Sequence, residues 1–133
     1  MEKYPIIKQV KSYDCGPTCI MMICQYYKIP VNTNCIQELT KTDRRGTSIW
    51  NMCRTMKMLG LICVPINVTY DQFLTAFTLP CIAQTHIQNG KLHYVVIYCK
   101  DDIILVGDPA YGLIEFSHKQ FAKIFNGNLI LIS

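Results

Sequence analysis

The sequence predicts an α+β fold, with an N-terminal helical part packed on a C-terminal antiparallel sheet. Up to Leu59 the apolar residues fall at helical spacing, with capping signals between the segments. From Leu61 onward, short runs rich in Ile, Val, Leu and Tyr follow one another across turn signals. Helices come first and strands afterwards, unlike the strand–helix alternation of a parallel sheet.

Residues 17–27, PTCIMMICQYY, are apolar on almost every side, which predicts a buried central helix. Pro17 suits the first turn of that helix, where a missing N–H costs nothing. Cys15 therefore sits where a loop turns into a helix, at its N-terminal tip. A short second helix is expected from Cys35 to Thr40, with Asn34 as cap and Gln37 three residues on. A third runs from Ser48 to Leu59. Its apolar residues Ile49, Met52, Cys53 and Met56 lie opposite Asn51, Arg54 and Lys57, and Gly60 suits its C-terminal cap. Met21, Met22, Met52, Met56 and Met58 read as packing residues.

Residues 61–68 read as a strand. Thr69 to Phe77 reads as a short helix with a Thr69–Gln72 capping box, ended by Pro80. Residues 80–88, 91–99 and 102–108 read as successive strands, the first two joined by an Asn89-Gly90 hairpin turn. Gly112 to Phe116 adds a strand. Ser117 and Gln120 cap a helix to Phe125, and residues 128–132 close the sheet.

A chain of 133 residues fits one domain, taken here as 1–133. Half of the residues are hydrophobic and only 17% are charged, so a real core is available and disorder is excluded. The net charge is +4, with Lys and Arg spread along the chain; the densest stretch, Lys41 to Arg45, is interrupted by Asp43. There is no basic stripe with interleaved aromatics, which argues against nucleic acid. Mild basicity fits an acidic peptide or an ordinary solvated surface equally well. No hydrophobic run approaches the roughly 20 residues that cross a bilayer, and MEKYPIIKQ lacks a secretory core. The expectation is a soluble chain that starts inside the cell, either alone or as one domain of a larger membrane protein. No repeat, linker or phosphate-binding glycine loop is present. Cysteines stand at 15, 19, 24, 35, 53, 63, 81 and 99, with no CxxC and no matching His spacing, so neither metal nor cofactor is expected. A disulfide framework belongs to short secreted chains without a core. All but Cys15 read as buried, inert thiols.

Cys15 has polar, turn-forming neighbours. A helix N-terminus favours a thiolate through its dipole and free N–H groups. The amide of Gln9 is close enough in sequence to fold back beside the sulfur as an oxyanion donor. Asp14 reads as a helix cap. A base for the thiol must be His86, His93 or His118. His118 lies in the first turn of an expected helix and reads as solvated. His93 lies in a strand apolar on both faces, where a buried imidazole needs a partner. A turn at Lys100-Asp101 sets Cys99 against Asp102 and His93 directly against Asp108, with Cβ atoms about 5 Å apart. A register slip of two moves the pair to a diagonal. The carboxylate would orient the imidazole, as in a catalytic triad, and Pro109 ends the ladder. Taken singly, each residue has an ordinary rival: a structural Cys, a core His, an Asp-Pro turn, a surface Gln. Their joint occurrence points to thiol catalysis.

The chain resembles the bacteriocin-processing cysteine peptidases, the cytosolic N-terminal domains of peptidase-containing ABC transporters that remove double-glycine leaders. The resemblance spans essentially the whole chain. It rests on Gln9 with Asp14-Cys15-Gly16, on Gly46-Thr47-Ser48 opening a helix that ends at Leu59-Gly60-Leu61, on His93 to Ile97, and on Asp108-Pro109 with Gly112. It implies a papain-like fold and cleavage of a precursor peptide after Gly-Gly, Gly-Ala or Gly-Ser, coupled to export. By family role, Cys15 is the nucleophile, His93 the general base, Asp108 the orienting carboxylate and Gln9 the oxyanion donor. The implied partners are a precursor peptide with an amphipathic helical leader, and the membrane-spanning and ATPase domains of one transporter on the cytoplasmic side of the membrane. The chain departs from the family at Pro17-Thr18, at Lys28 where glycine is common, and at Phe125-Asn126 where a tryptophan often precedes the glycine. The alternatives are a silent leader-docking domain, which the presence of Cys15, His93 and Asp108 disfavours, and an acyltransferase, disfavoured by the absence of a coenzyme signature.

Overall fold

A computed structural model describes residues 3–86 and 91–133; the expected Asn89-Gly90 turn lies outside these residues. The order is α1 (Cys15–Tyr26), α2 (Thr33–Thr40), α3 (Ile49–Met58), β1 (Cys63–Asn67), α4 (Tyr70–Phe73), β2 (Cys81–His86), β3 (Leu92–Lys100), β4 (Ile104–Asp108), β5 (Gly112–Phe116), α5 (His118–Ile124) and β6 (Phe125–Ile132). The six strands form one antiparallel sheet in the order β1-β6-β2-β3-β4-β5. This is the expected α+β architecture, papain-like in its helices-on-sheet arrangement.

Both faces of the sheet are covered. On one, α1 lies against β3 and with α3 buries Ile20, Ile23, Met52 and Met56 on Ile82, Val96 and Ile130. On the other, Phe73 of α4 and Phe121 of α5 pack on Val95, Ile97, Val106 and Leu129. Adjacent β3 residues thus enter different cores, Tyr94, Val96 and Tyr98 on one face and Val95 and Ile97 on the other, which is why the middle of this strand is apolar without alternation.

Helix α1 stops in a turn where the Ile29 N–H donates to Cys24 C=O at 2.8 Å and Lys28 N–H to Gln25 C=O at 3.2 Å. Helix α3 ends identically, with Leu61 N–H on Met56 C=O and Gly60 N–H on Lys57 C=O, each at 3.0 Å. Both are Schellman motifs with a left-handed residue after the cap, Gly60 at φ 94° but Lys28 at φ 60°.

The expected cap of α2 is corrected: Asn32, not Asn34, accepts the Asn34 N–H at 2.8 Å. Two asparagines two positions apart give the same local signal, and extended backbone at Asn32 selects it. The Thr69–Gln72 capping box is present, but α4 ends at Phe73, where Lys100 Nζ takes the freed Phe73 C=O at 2.9 Å. Strand β6 begins at Phe125, earlier than expected.

Candidate active site

Cys15 is the first residue of α1 and 8% exposed. Its helix starts flush against the segment before α3: a Cβ on Gly16 would lie 2.9 Å from Thr47 Cβ. Only glycine permits that approach. Asp14 precedes the helix but does not cap it. Its buried carboxylate turns backward, accepting the Lys11 N–H at 3.2 Å and the Gln37 side-chain amide at 3.1 Å. The expected cap is therefore corrected; Asp14 fastens the loop leading to Cys15.

His93 and Asp108 are 6% and 7% exposed, and His93 Nε2 meets Asp108 Oδ1 at 2.8 Å. The pairing is not the direct cross-strand opposition expected. The turn is longer, Lys100 pairs with Ile104, and a bulge between Ile97 and Cys99 shifts the ladder so that Val96 faces Gly107. His93 and Asp108 therefore meet on a diagonal, within reach of long side chains. Asp108 Oδ1 also accepts the Ala110 N–H at 2.8 Å, which fixes the carboxylate at the strand end.

Burial disfavours the charged imidazole, but the Asp108 hydrogen bond and the neighbouring Cys15 sulfur outweigh it and raise the His93 pKa to about 9. With Nε2 committed to Asp108, Nδ1 is the nitrogen left for the thiol. The three elements thus bring a sulfur, an imidazole and a carboxylate together.

Gln9 is tied to the same place by its backbone N–H, which donates to Pro109 C=O at 2.8 Å. Its amide Nε2 donates to Lys11 C=O at 2.9 Å, within its own loop, and its Oε1 is buried without a partner.

A cleft of about 370 Å³ opens at Cys15, walled by Tyr13, Gly46, Thr47, Gln84 and Tyr94, with Arg44 and Lys91 at its lining. Sequence reasoning passed over Thr47, Gln84 and Tyr94 as site residues. A signal existed for Gln84, the polar residue that interrupts the apolar Cys81-Ile82-Ala83 run yet is buried.

Of the other thiols, burial pushes Cys24 and Cys63 up to about 11 and Cys81 to about 12. Cys19 is raised well above the usual thiol range by burial, then by Cys15 and Asp108. These are poor nucleophiles. Cys35 departs from the expectation of burial, being exposed on α2. His118 is partly exposed and also partnered: its Nε2 meets Asp101 C=O at 2.6 Å and its Nδ1 the Tyr70 hydroxyl at 3.0 Å. Among the described residues no group of three or more His, Cys, Asp or Glu side chains is placed to share a metal ion.

A buried Cys-His contact at a helix tip, with a carboxylate behind the ring, is an arrangement that can activate a thiol as a nucleophile. The chain belongs to the Peptidase C39 family, which it matches over residues 3–133. It is similar to the lactococcin-G-processing and transport ATP-binding protein of Lactococcus lactis subsp. lactis, 33% identical over 127 residues, covering 94% of this chain and 18% of that protein. The mesentericin-Y105 transport/processing ATP-binding protein of Leuconostoc mesenteroides is 30% identical over 137 residues, covering 99% of this chain and 19% of that protein. The chain thus spans less than a fifth of the length of these curated relatives. In fold it is similar to the peptidase domain of Streptococcus ComA, a bi-functional ABC transporter, with a TM-score of 0.90 at 24% identity over 98% of each chain. A double-glycine-motif protease from an AMS/PCAT transporter, solved with its leader peptide, gives a TM-score of 0.88 at 24% identity, covering 96% of this chain and 89% of that one. No described helix is long and apolar enough to cross a membrane.

Proposed function

We propose that this cysteine peptidase, one domain over residues 1–133, removes the leader from a bacteriocin or peptide-pheromone precursor, cutting after a Gly-Gly type pair during export. The observation that carries the reading is the 2.8 Å His93–Asp108 bond on a ring that also faces Cys15. Family membership and the processing-and-transport relatives support it. The domain would work on the cytoplasmic side of the membrane, beside membrane-spanning and ATPase domains, on a precursor with an amphipathic helical leader.

In this mechanism Cys15 Sγ attacks the carbonyl carbon after the second small residue. The imidazolium of His93 gives its proton to the departing amine as the C–N bond breaks and a thioester remains. His93 then takes a proton from water, which attacks the thioester and frees Cys15. Asp108 holds the ring and stabilises its charge. The oxyanion is met by backbone N–H at the start of α1 and by the Gln9 amide, which exchanges its Lys11 contact for the developing charge.

The test is incubation with a double-glycine precursor peptide, followed by mass spectrometry. The expected product ends at the second glycine; Cys15→Ala abolishes it, and Gln9→Ala slows it on the order of a hundred-fold. Binding without cleavage by the unaltered chain would overturn the peptidase reading in favour of a docking domain.

A further inference from the structure

The wall of the cleft facing Cys15 is held in place by a chain of side-chain hydrogen bonds that begins on the far strand. Strand β6 bulges opposite the Ala83–Thr85 step of β2, so Gln84 faces the Asn126-Gly127-Asn128 stretch. Gln84 Oε1 accepts from Asn126 Nδ2 at 2.7 Å and from Asn128 Nδ2 at 3.0 Å. With both lone pairs taken, the amide has one orientation, and its Nε2 donates to the Tyr94 hydroxyl at 3.4 Å. Tyr94 donates onward to Thr47 C=O at 2.8 Å. Every donor points the same way, so each bond strengthens the next. Burial, then the nearby Cys15, raises the Tyr94 pKa to about 12, so the hydroxyl keeps its proton and remains a donor.

Thr47 has no slack on its other side. Its Cβ already stands where a Gly16 Cβ would meet it at 2.9 Å, one residue from the sulfur. The neighbouring turn is held by its own bonds, Gly46 N–H to Asp43 C=O at 2.8 Å and Arg45 N–H to the Asp43 carboxylate at 2.8 Å. Those fix the shape of the turn, not its distance from α1. Thr42 also bonds the Thr47 hydroxyl, but from within the same segment. The bond from Tyr94 comes from the sheet, and it sets position.

We infer that this relay, from Asn126 and Asn128 through Gln84 and Tyr94 to Thr47, fixes the Gly46-Thr47 wall against Cys15 and so selects the smallest side chain just ahead of the cut. The inference rests on the peptidase reading and adds to it the positioning residues that determine substrate size. Tyr94 and Gln84 act on selectivity through Thr47. Releasing the wall lets it retreat and admit a larger side chain.

The experiment compares kcat/KM for two precursor peptides that differ only at the residue before the cut, Gly against Val. The unaltered chain, Tyr94→Phe, Gln84→Met and Asn126→Ala are assayed, with thermal unfolding of each. The Gly:Val ratio is expected to fall at least about tenfold in Tyr94→Phe, the scale on which pockets sort methylene-sized differences. Gln84→Met and Asn126→Ala should shift it the same way by less. A merely structural role would slow both peptides equally; folded variants with an unchanged ratio overturn the inference. If Tyr94→Phe does not fold, the other two decide. An unaltered chain that cuts neither this peptide pair nor any double-glycine precursor removes the peptidase reading, and this inference with it. Normal cutting with an unmoved ratio removes the inference alone.

Discussion

His93 is held between opposing influences. Burial is the largest and favours the neutral ring; Asp108 and Cys15 together favour the cation and win, with a pKa of about 9. An imidazolium is therefore the resting state at neutral pH, the form that the proposed proton transfer to a leaving amine requires. Because the folded value lies above the ordinary 6.5, this pair stabilises the fold fully below about pH 6.5, and the contribution is lost as pH rises through 9. NMR titration of the His93 ring should give a midpoint near 9. In Asp108→Asn burial is less opposed, and the midpoint should drop, with a smaller loss of turnover than in His93→Ala. A midpoint unmoved by Asp108→Asn would refute the carboxylate's role. Cys15, His93 and Asp108 were legible because each carries a local mark: Pro17 after the cysteine, an apolar strand around the histidine, a proline after the aspartate. Gln84 and Asn126 carry no such mark. Their meeting depends on a bulge in β6 and on pairing between strands far apart in sequence.

At the scale of elements, the two Schellman turns form an internal comparison. The same backbone closes α1 with Lys28 and α3 with Gly60. A side chain in the left-handed region is strained by about 1 kcal/mol or more, partly offset because glycine is more flexible when unfolded. Lys28→Gly should therefore stabilise the fold by roughly 0.5–1 kcal/mol, and Gly60→Ala should destabilise it by about 1 kcal/mol. Chemical denaturation measures both, and a destabilised Lys28→Gly would contradict this account. The sequence showed helices α1 and α3 clearly because their apolar residues lie close together in the chain, with Pro17 in the first turn of α1 and Gly60 after the end of α3. The β3–β4 register was not legible. A longer turn displaced the ladder and a bulge between Ile97 and Cys99 partly reversed the shift, leaving His93 and Asp108 on a diagonal, and bulges leave no reliable mark in residue type. The contact survived because a carboxylate and an imidazole span the diagonal distance.

Across the whole molecule, the sheet carries the site at the seam between its layers. Strands β3 and β4 carry the proposed base and carboxylate, His93 and Asp108, and α1, pressed on β3, carries the Cys15 sulfur. The second core, built on Phe73 and Phe121, lies on the opposite face and supports β3 from behind. Helices before strands were readable from periodicity; the covering of the second face by short α4 and α5 was not, because neither segment is long enough to show a periodic stripe. This arrangement yields one central claim, that Cys15 alone among eight cysteines is a nucleophile, although it is buried and Cys35 is exposed. The direct measurement is labelling with a peptidyl chloromethyl ketone ending in Gly-Gly, followed by peptide mapping. The account predicts one adduct, on Cys15, formed far more slowly in His93→Ala. An adduct on Cys35 with Cys15 unmodified would contradict it.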